Sequence, residues 1–160
     1  MRKMVLFFSV LLLVFSCKDG EIEVPAFTFE NTLYSCGNYT LHKRNTDNTK
    51  AIILTLDNTD LPNASGTVTL ATTTSRTVLY RIFDNAITSS YFCTAVPSSS
   101  PQVVEEWQGV SFTVTVATTE DTSTTPVSYH HTITLNDLVL ERNGVQEVFE
   151  TFYIGVVDTQ

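Results

Sequence analysis

Three histidines are the side chains of this chain whose types most readily suggest metal binding. His130 and His131 are adjacent, and neighbouring residues on a β-strand point to opposite faces, so their two rings are not expected to bind one ion. His131 shares the apolar face of its strand, and His42 has no ligand-like neighbour at helical or turn spacing. A zinc site needs three or four converging ligands. The sequence therefore predicts no metal site and no cofactor.

Clustered carboxylates in two loops suggest calcium. Asp57-Asn58-Thr59-Asp60 places two carboxylates and an amide within four residues, and Glu120-Asp121 lies in a second loop. Neither loop has the spaced acidic residues and interior glycine of an EF-hand. Because Asp and Asn favour turns for backbone reasons alone, we interpret both segments as turns.

Residue patterns for catalysis are weak. No serine stands in a Gly-x-Ser-x-Gly sequence, so the nucleophile elbow of many hydrolases is absent. Glu105 and Glu106 are adjacent, and we expect both carboxylates to be solvated. The sequence therefore predicts a non-catalytic protein, and the alternative is an enzyme whose site is assembled from scattered carboxylates.

Trp107 is the lone tryptophan, and Glu105, Glu106 and Gln108 flank it. An aromatic ring among polar side chains is typical of surfaces that stack on sugar rings. Trp107 is therefore a candidate ligand-binding residue. The alternative is a packing anchor at the start of the next strand.

The first 16 residues have the three-part build of a secretory signal peptide. Arg2 and Lys3 form a basic start, and the apolar run Val5–Phe15 follows. This run is well short of the roughly 20 apolar residues that span a bilayer. Residues 1–16 are therefore predicted to be a signal peptide rather than a membrane-spanning helix.

The end of this segment, Val14-Phe15-Ser16-Cys17, resembles the lipobox of bacterial lipoprotein precursors. In that family an aliphatic residue stands three before the cysteine and a small residue directly before it. The resemblance implies cleavage after residue 16 and attachment of lipid to Cys17. Several acyl chains anchor a protein almost permanently. The alternative is an ordinary cut near Ser16 that leaves Cys17 as a free thiol.

Residues 17–25 form a polar tether whose first part is Lys18-Asp19-Gly20-Glu21. This stretch resembles the export signal of surface lipoproteins in the Bacteroidota, which combines lysine with acidic residues. The resemblance implies an outer-membrane protein displayed on the cell surface. The alternative is the periplasmic face of that membrane.

The charge balance excludes two classes of partner. Without residues 1–16 the chain has seven basic and seventeen acidic side chains. Nucleic-acid binding relies on clustered Lys and Arg, and Lys43-Arg44 is the only adjacent basic pair after residue 16. We therefore expect no nucleic-acid partner. We also expect no adsorption to anionic lipid headgroups, so the lipid alone would hold the protein at the membrane.

Cys36 and Cys93 remain when Cys17 carries the lipid. An exported protein meets an oxidising compartment, where two cysteines allow a single pairing. The sequence predicts a disulfide, with two buried free thiols as the alternative. Closing such a loop stabilises a fold by about 4 kcal/mol in the chain-entropy account.

The elements that position these residues are strands. The chain contains 26 threonines, and β-branched side chains favour sheet. Val110, Phe112, Val114 and Val116 alternate with small or hydroxylated residues, which is typical of a half-buried strand. Tyr129 to Leu135 alternates in the same way. Asn143-Gly144 between two apolar runs predicts a type I′ hairpin turn. Further extended stretches are predicted at Ala26–Tyr34, Asn38–Arg44, Ala51–Leu56, Thr67–Ala71, Thr77–Phe83, Leu138–Arg142 and Val145–Val156.

Eight or nine short strands predict one all-β domain over residues 26–160. We expect an antiparallel β-sandwich of immunoglobulin-like shape, and a jelly roll or small barrel is the alternative. The function predicted from these features is that of an extracellular binding or accessory module, with a glycan or another envelope protein as its partner. The alternative is a purely structural component of an envelope complex.

Overall fold

The computed structural model of the chain describes residues 27–37, 39–94 and 99–160. These residues form eight β-strands and one short 3₁₀ helix, Tyr91–Cys93. The predicted signal peptide, Cys17 and the tether lie outside the described residues. The strands are β1 (Tyr34–Cys36), β2 (Thr40–Arg44), β3 (Lys50–Thr55), β4 (Gly66–Ala71), β5 (Thr77–Phe83), β6 (Val103–Asp121), β7 (Ser128–Arg142) and β8 (Val145–Thr159).

All paired strands are antiparallel, and they form one curled sheet in the order β1-β2-β3-β5-β6-β7-β8. β5 pairs with the first part of β6, β4 pairs with the second part of β6, and β7 runs along the other edge of β6. The predicted all-β antiparallel fold is confirmed. The strand pairing shows a single continuous sheet and does not show the two sheets of an immunoglobulin-like sandwich.

The main core lies on the inner face of the curled sheet. Val114 and Val116 of β6 and Ile133 and Leu135 of β7 are fully buried there, as their alternation with polar residues predicts. The turn between β7 and β8 also follows the prediction, because Asn143 and Gly144 both have positive φ angles of 52° and 80°.

Residues 27–33 lie across the open side of the curled sheet without forming a strand. The Phe27 ring packs 4.7 Å from Phe149, and the Phe29 ring packs 5.7 Å from Phe152, both on β8. On the other side, the Glu30 N–H donates to the Arg44 carbonyl at the end of β2. This closing segment (residues 27–33) therefore contacts β8 by aromatic packing and β2 by a backbone hydrogen bond.

The predicted strand over residues 26–34 is wrong for nearly all of its described part. Only Tyr34 belongs to a strand, because residues 27–33 have no partner strand along their length. The two phenylalanines of the prediction nevertheless point into the core. Leu138–Arg142, predicted as a separate strand, is the continuation of β7 past Asp137, whose φ of 50° marks an irregularity.

A second, smaller cluster covers the outer face of β2, β3 and β5. Ile87, Tyr91 and Phe92 come from the connection after β5 and pack against Ile53 and Phe83. The predicted disulfide is confirmed, because Cys93 in this connection is bonded to Cys36 in β1. We call residues 87–93 the covering segment, and the disulfide fixes it to the first strand of the sheet.

His42 lies under this cover and is fully buried. Its ring stacks on Tyr34 at 5.3 Å and meets the edge of Phe92 at 4.8 Å. Neither ring nitrogen has a hydrogen bond of good geometry. Burial, and then the nearby Arg44 guanidinium, lower the pKa of His42 to about 4 from an ordinary 6.5, against a weaker opposing effect of the Ser89 backbone.

The depressed pKa of His42 predicts acid sensitivity of the fold. The unfolded chain binds a proton at His42 below about pH 6.5, whereas the folded chain resists protonation until about pH 4. Stability from this residue is therefore complete above pH 6.5 and is lost as the pH falls. The loss between about pH 7 and about pH 4.5 is expected to be about 2–3 kcal/mol.

Urea unfolding of the full chain at both pH values measures this loss. His42→Leu is expected to flatten the pH dependence, whereas the exposed control His130→Gln keeps the loss of stability in acid. An equally steep decline in His42→Leu and in the wild type would contradict the assignment.

Candidate functional site

The outer face of β4, β6, β7 and β8 carries an uncharged surface rich in threonine. On β6, Thr113, Thr115 and Ala117 point outward because Val114 and Val116 point into the core. We call this surface the outer threonine face. Its members are Thr67, Thr69 and Ala71 of β4, Thr113, Thr115 and Ala117 of β6, Thr132, Thr134 and Asn136 of β7, and Thr151, Tyr153 and Val156 of β8.

The strand register arranges these twelve side chains in rows across the sheet. One row runs through Thr69, Thr115, Thr134 and Tyr153, each residue directly opposite the next. The side chains of such directly opposed residues lie about 4.5–5.5 Å apart. The result is a lattice of hydroxyl groups, in which the Asn136 amide donates to Thr115 Oγ1 at 2.9 Å.

Tyr153 gives the outer threonine face an aromatic platform. It is 51% exposed, more than any other aromatic residue that the structure describes. The Lys43 ammonium lies 5.5 Å from the centre of its ring, and burial lowers the pKa of Lys43. A ring held in this way can pack against an apolar surface of a ligand while neighbouring hydroxyls form hydrogen bonds.

A histidine and two carboxylates lie at one rim of this face. His130 Nδ1 is 2.6 Å from Asp158 Oδ1, and His130 Nε2 is 3.8 Å from Asp121 Oδ2. The hydrogen bond to Asp158 is the main reason that the pKa of His130 is raised above 6.5. Beside them lies a concavity of about 510 Å³ that Ser128, His130, Asp158, Thr159 and Gln160 line.

The neighbouring His131 has a different environment, as the strand alternation predicts. It is fully buried, its Nδ1 lies 2.9 Å from Thr118 Oγ1, and its Nε2 lies 2.8 Å from Thr159 Oγ1. Burial lowers the pKa of His131. The two histidines thus point to opposite faces, and His131 is a hydrogen-bonded core residue.

Trp107 does not offer a surface for sugar stacking. Its side chain is 1% exposed, it pairs across the sheet with Tyr80, and its Nε1–H donates to Glu105 at 2.6 Å. A cavity of about 320 Å³ lies beside it, but the indole itself is buried in the main core. The expectation of a ligand-binding Trp107 is therefore corrected to the alternative, a packing anchor in the core.

The carboxylates singled out in the sequence form ion pairs. Glu105 contacts the Arg142 guanidinium at 3.1 Å and Glu106 contacts that of Arg81 at 2.6 Å, so neither is simply solvated. In the Asp57–Asp60 loop, both oxygens of buried Asp60 accept from Arg76 at 2.6 Å.

Burial raises the pKa of Asp60, but Arg76 and the backbone N–H of Asp57 outweigh that effect and leave the pKa below its ordinary value. A guanidinium, rather than a cation from solution, balances the charge of this loop. Across the described residues, no group of three or more His, Cys, Asp or Glu side chains is placed to hold a metal ion.

Cys17 and Lys18, Asp19, Gly20 and Glu21 lie outside the described residues, so their predicted roles stay predictions. Within the described ranges, no helix is long and apolar enough to cross a membrane. Comparisons with protein-family models, with curated proteins and with solved structures give no match. The outer threonine face and its histidine rim are therefore assigned from their geometry.

The His130–Asp158 pair predicts a measurable titration. In an NMR titration of the full chain, His130 is expected to keep its proton to a higher pH than an ordinary histidine, because Asp158 stabilises the charged ring. Asp158→Asn should lower the pKa of His130, whereas the control Asp137→Asn on the same sheet should not. An unchanged His130 pKa in Asp158→Asn would show that the pair does not form in solution.

Proposed function

We propose that the chain is a lipid-anchored, non-catalytic binding module of a bacterial cell envelope that holds a neutral glycan on its outer threonine face. The anchor rests on the signal-like residues 1–16 and on the lipobox-like end at Cys17. The segment Lys18–Glu21 supports display on the cell surface, with the periplasmic face as the alternative.

The observation that carries the binding proposal is an uncharged face on a strongly acidic protein. The chain has a net charge of −8, yet none of the twelve positions of the outer threonine face is charged. Charged ligands gain little on such a surface, whereas a neutral saccharide presents hydroxyls that both donate and accept. Threonine hydroxyls have the same double capacity.

The exposed ring of Tyr153 supports the choice of a glycan over a fully polar ligand. Sugar rings have an apolar face of C–H groups, which packs against an aromatic side chain. Tyr153 stands in the same row as Thr69, Thr115 and Thr134, so stacking and hydrogen bonding would occur along one line of the sheet. This row replaces Trp107 as the proposed contact surface.

A structural role in an envelope complex is the second candidate. Its support is the same neutral face, which a flat protein surface could cover as well as a glycan. Co-purification with a membrane complex that protects Tyr153 from chemical modification would favour this role.

For the fold, we retain the immunoglobulin-like sandwich as a proposal. Its support is the packing of Phe29 against both Tyr80 of β5 and Phe152 of β8, which brings separate parts of the sheet together across the core. The continuous strand order supports the small barrel equally well.

Lipid attachment at Cys17 is tested by metabolic labelling of cells with an alkyne fatty acid. The label is expected on the wild type and on the control Lys18→Ala, and it should disappear in Cys17→Ser because the acceptor thiol is gone. A label that survives in Cys17→Ser would reject the anchor.

Surface display is tested by protease treatment of intact cells, in which a displayed protein should be digested. Protection of the protein until the outer membrane is broken would reject surface display.

Glycan binding is tested with immobilised neutral polysaccharides and the purified full chain in detergent micelles. Tyr153→Ala is expected to weaken binding about tenfold, equivalent to about 1.4 kcal/mol, because the stacking surface is lost. The control Val104→Ala removes a side chain that is 60% exposed on the other part of β6 and should bind like the wild type. Absence of binding to every neutral polysaccharide, or equal binding by Tyr153→Ala, would reject the glycan proposal.

A further inference from the structure

β4 has a free backbone edge. One edge pairs with β6 from Gly66 to Ala71, and the described residues make no backbone hydrogen bond to the other. At the end of the strand, the Arg76 guanidinium donates to the Ala71 carbonyl at 3.1 Å. The accessible stretch is therefore Gly66–Leu70, five residues centred on Val68.

This stretch has none of the features with which proteins protect a sheet edge. Protected edges carry charges, proline or bulges, or are very short or covered. The sequence from Gly66 to Leu70 has no charged residue and no proline, and its register with β6 has no shift. Val68 is 36% exposed and lies at the centre.

The other two edges of the sheet are protected. β1 has three residues and is tied to the covering segment by its disulfide. β8 carries Glu147 and Glu150 and packs against the closing segment. At Gly155, where φ is +146°, a Cβ atom would lie only 3.0 Å from the Cβ of Leu33. Among the described strands, β4 is thus the one with an unprotected edge.

We infer that the free edge of β4 pairs with β4 of a second copy of this chain. A strand paired antiparallel with its own copy forms a two-fold interface, the commonest symmetry of protein dimers. With the axis at Val68, Val68 lies opposite Val68 of the second copy, and Thr67 lies opposite Thr69. These same-face pairs of β-branched residues are favourable across antiparallel strands.

The sequence of this edge argues for a second copy as the occupant, because identical residues, Thr67 and Thr69, flank Val68 and are paired by a two-fold axis there. The charge of the edge does not oppose that pairing. Two molecules of net charge −8 repel each other over most of their surfaces. β4 and the neighbouring outer threonine face bring no charged side chain to the contact. A strongly basic partner, by contrast, would find no acidic group on this edge to recognise.

Pairing at β4 would join two outer threonine faces into one surface of eight strands. A five-residue edge buries far less than the roughly 1,200 Å² of a stable interface, so the dimer is weak in dilute solution. Anchoring two copies in one membrane raises their effective concentration and favours the pair. The inference does not depend on the ligand of that surface, so its test is separate from the glycan test.

Disulfide trapping in cells tests the contact. The full chain carrying Val68→Cys is expressed in an exporting bacterium, oxidised with copper phenanthroline and run on a non-reducing gel. A dimer that disappears on reduction is expected, because opposed residues of paired strands have Cα atoms within disulfide reach. The wild type shows whether Cys17 alone can form a disulfide-linked dimer. Val148→Cys, at a position 64% exposed on β8, is the matched control and should give no trapped dimer.

Val68→Lys provides the second measurement. The dimer is measured by sedimentation of the full chain in detergent at high protein concentration, where a weak dimer is populated. Two ammonium groups opposed at the axis repel each other, so Val68→Lys should lose the dimer, whereas Val148→Lys should keep it. Trapping of Val68→Cys with loss of the dimer in Val68→Lys supports the inference. No trapped dimer, equal trapping of both cysteine variants, or an adduct of Val68→Cys with a different protein overturns it.

Discussion

The pleat of three long antiparallel strands determines both the core and the outer surface of this protein. Successive side chains of β6, β7 and β8 point to opposite sides, so each buried Val, Ile or Leu requires an outward neighbour. Over much of β6 and β7 that neighbour is threonine, which favours β-strands and is uncharged. A one-residue slip in register would exchange the two surfaces and expose the whole core. The core and the candidate site are therefore consequences of one register.

The ends of the curled sheet are stabilised by different means. The closing segment packs Phe27 and Phe29 on Tyr80 of β5 and on Phe149 and Phe152 of β8. Its contact with β2 is the hydrogen bond from the Glu30 N–H to the Arg44 carbonyl. The covering segment after β5 uses a disulfide and buries His42 without good hydrogen bonds. Both segments cover apolar surface that the strands alone would leave exposed. The cost is an ionisable group held neutral in the interior, where acid destabilises it.

Local alternation predicted much of the fold. The inward faces of β6 and β7, the opposite orientations of His130 and His131, and the Asn143-Gly144 turn all follow from spacing along one strand. Contacts between strands that are distant in the sequence cannot be predicted from such spacing. Trp107 is buried because Tyr80 and the rest of the core lie across from it, and Asp60 is neutralised by Arg76 sixteen positions later. The alternation of Phe27 and Phe29 predicted a strand because the absence of a partner strand has no local signature. The threonine lattice likewise depends on the register of four strands, which one sequence does not reveal.

The point at which the chain enters the domain has a mechanical consequence. Among the described contacts, the closing segment is held by ring packing and by one backbone hydrogen bond to Arg44. Tension on the preceding residues would peel this segment away one contact at a time, whereas β6, β7 and β8 resist together through two long ladders. A pulled molecule would therefore lengthen first at its amino-terminal end and keep its hydroxyl surface intact. The closing segment would therefore detach before the ladders of the three long strands break.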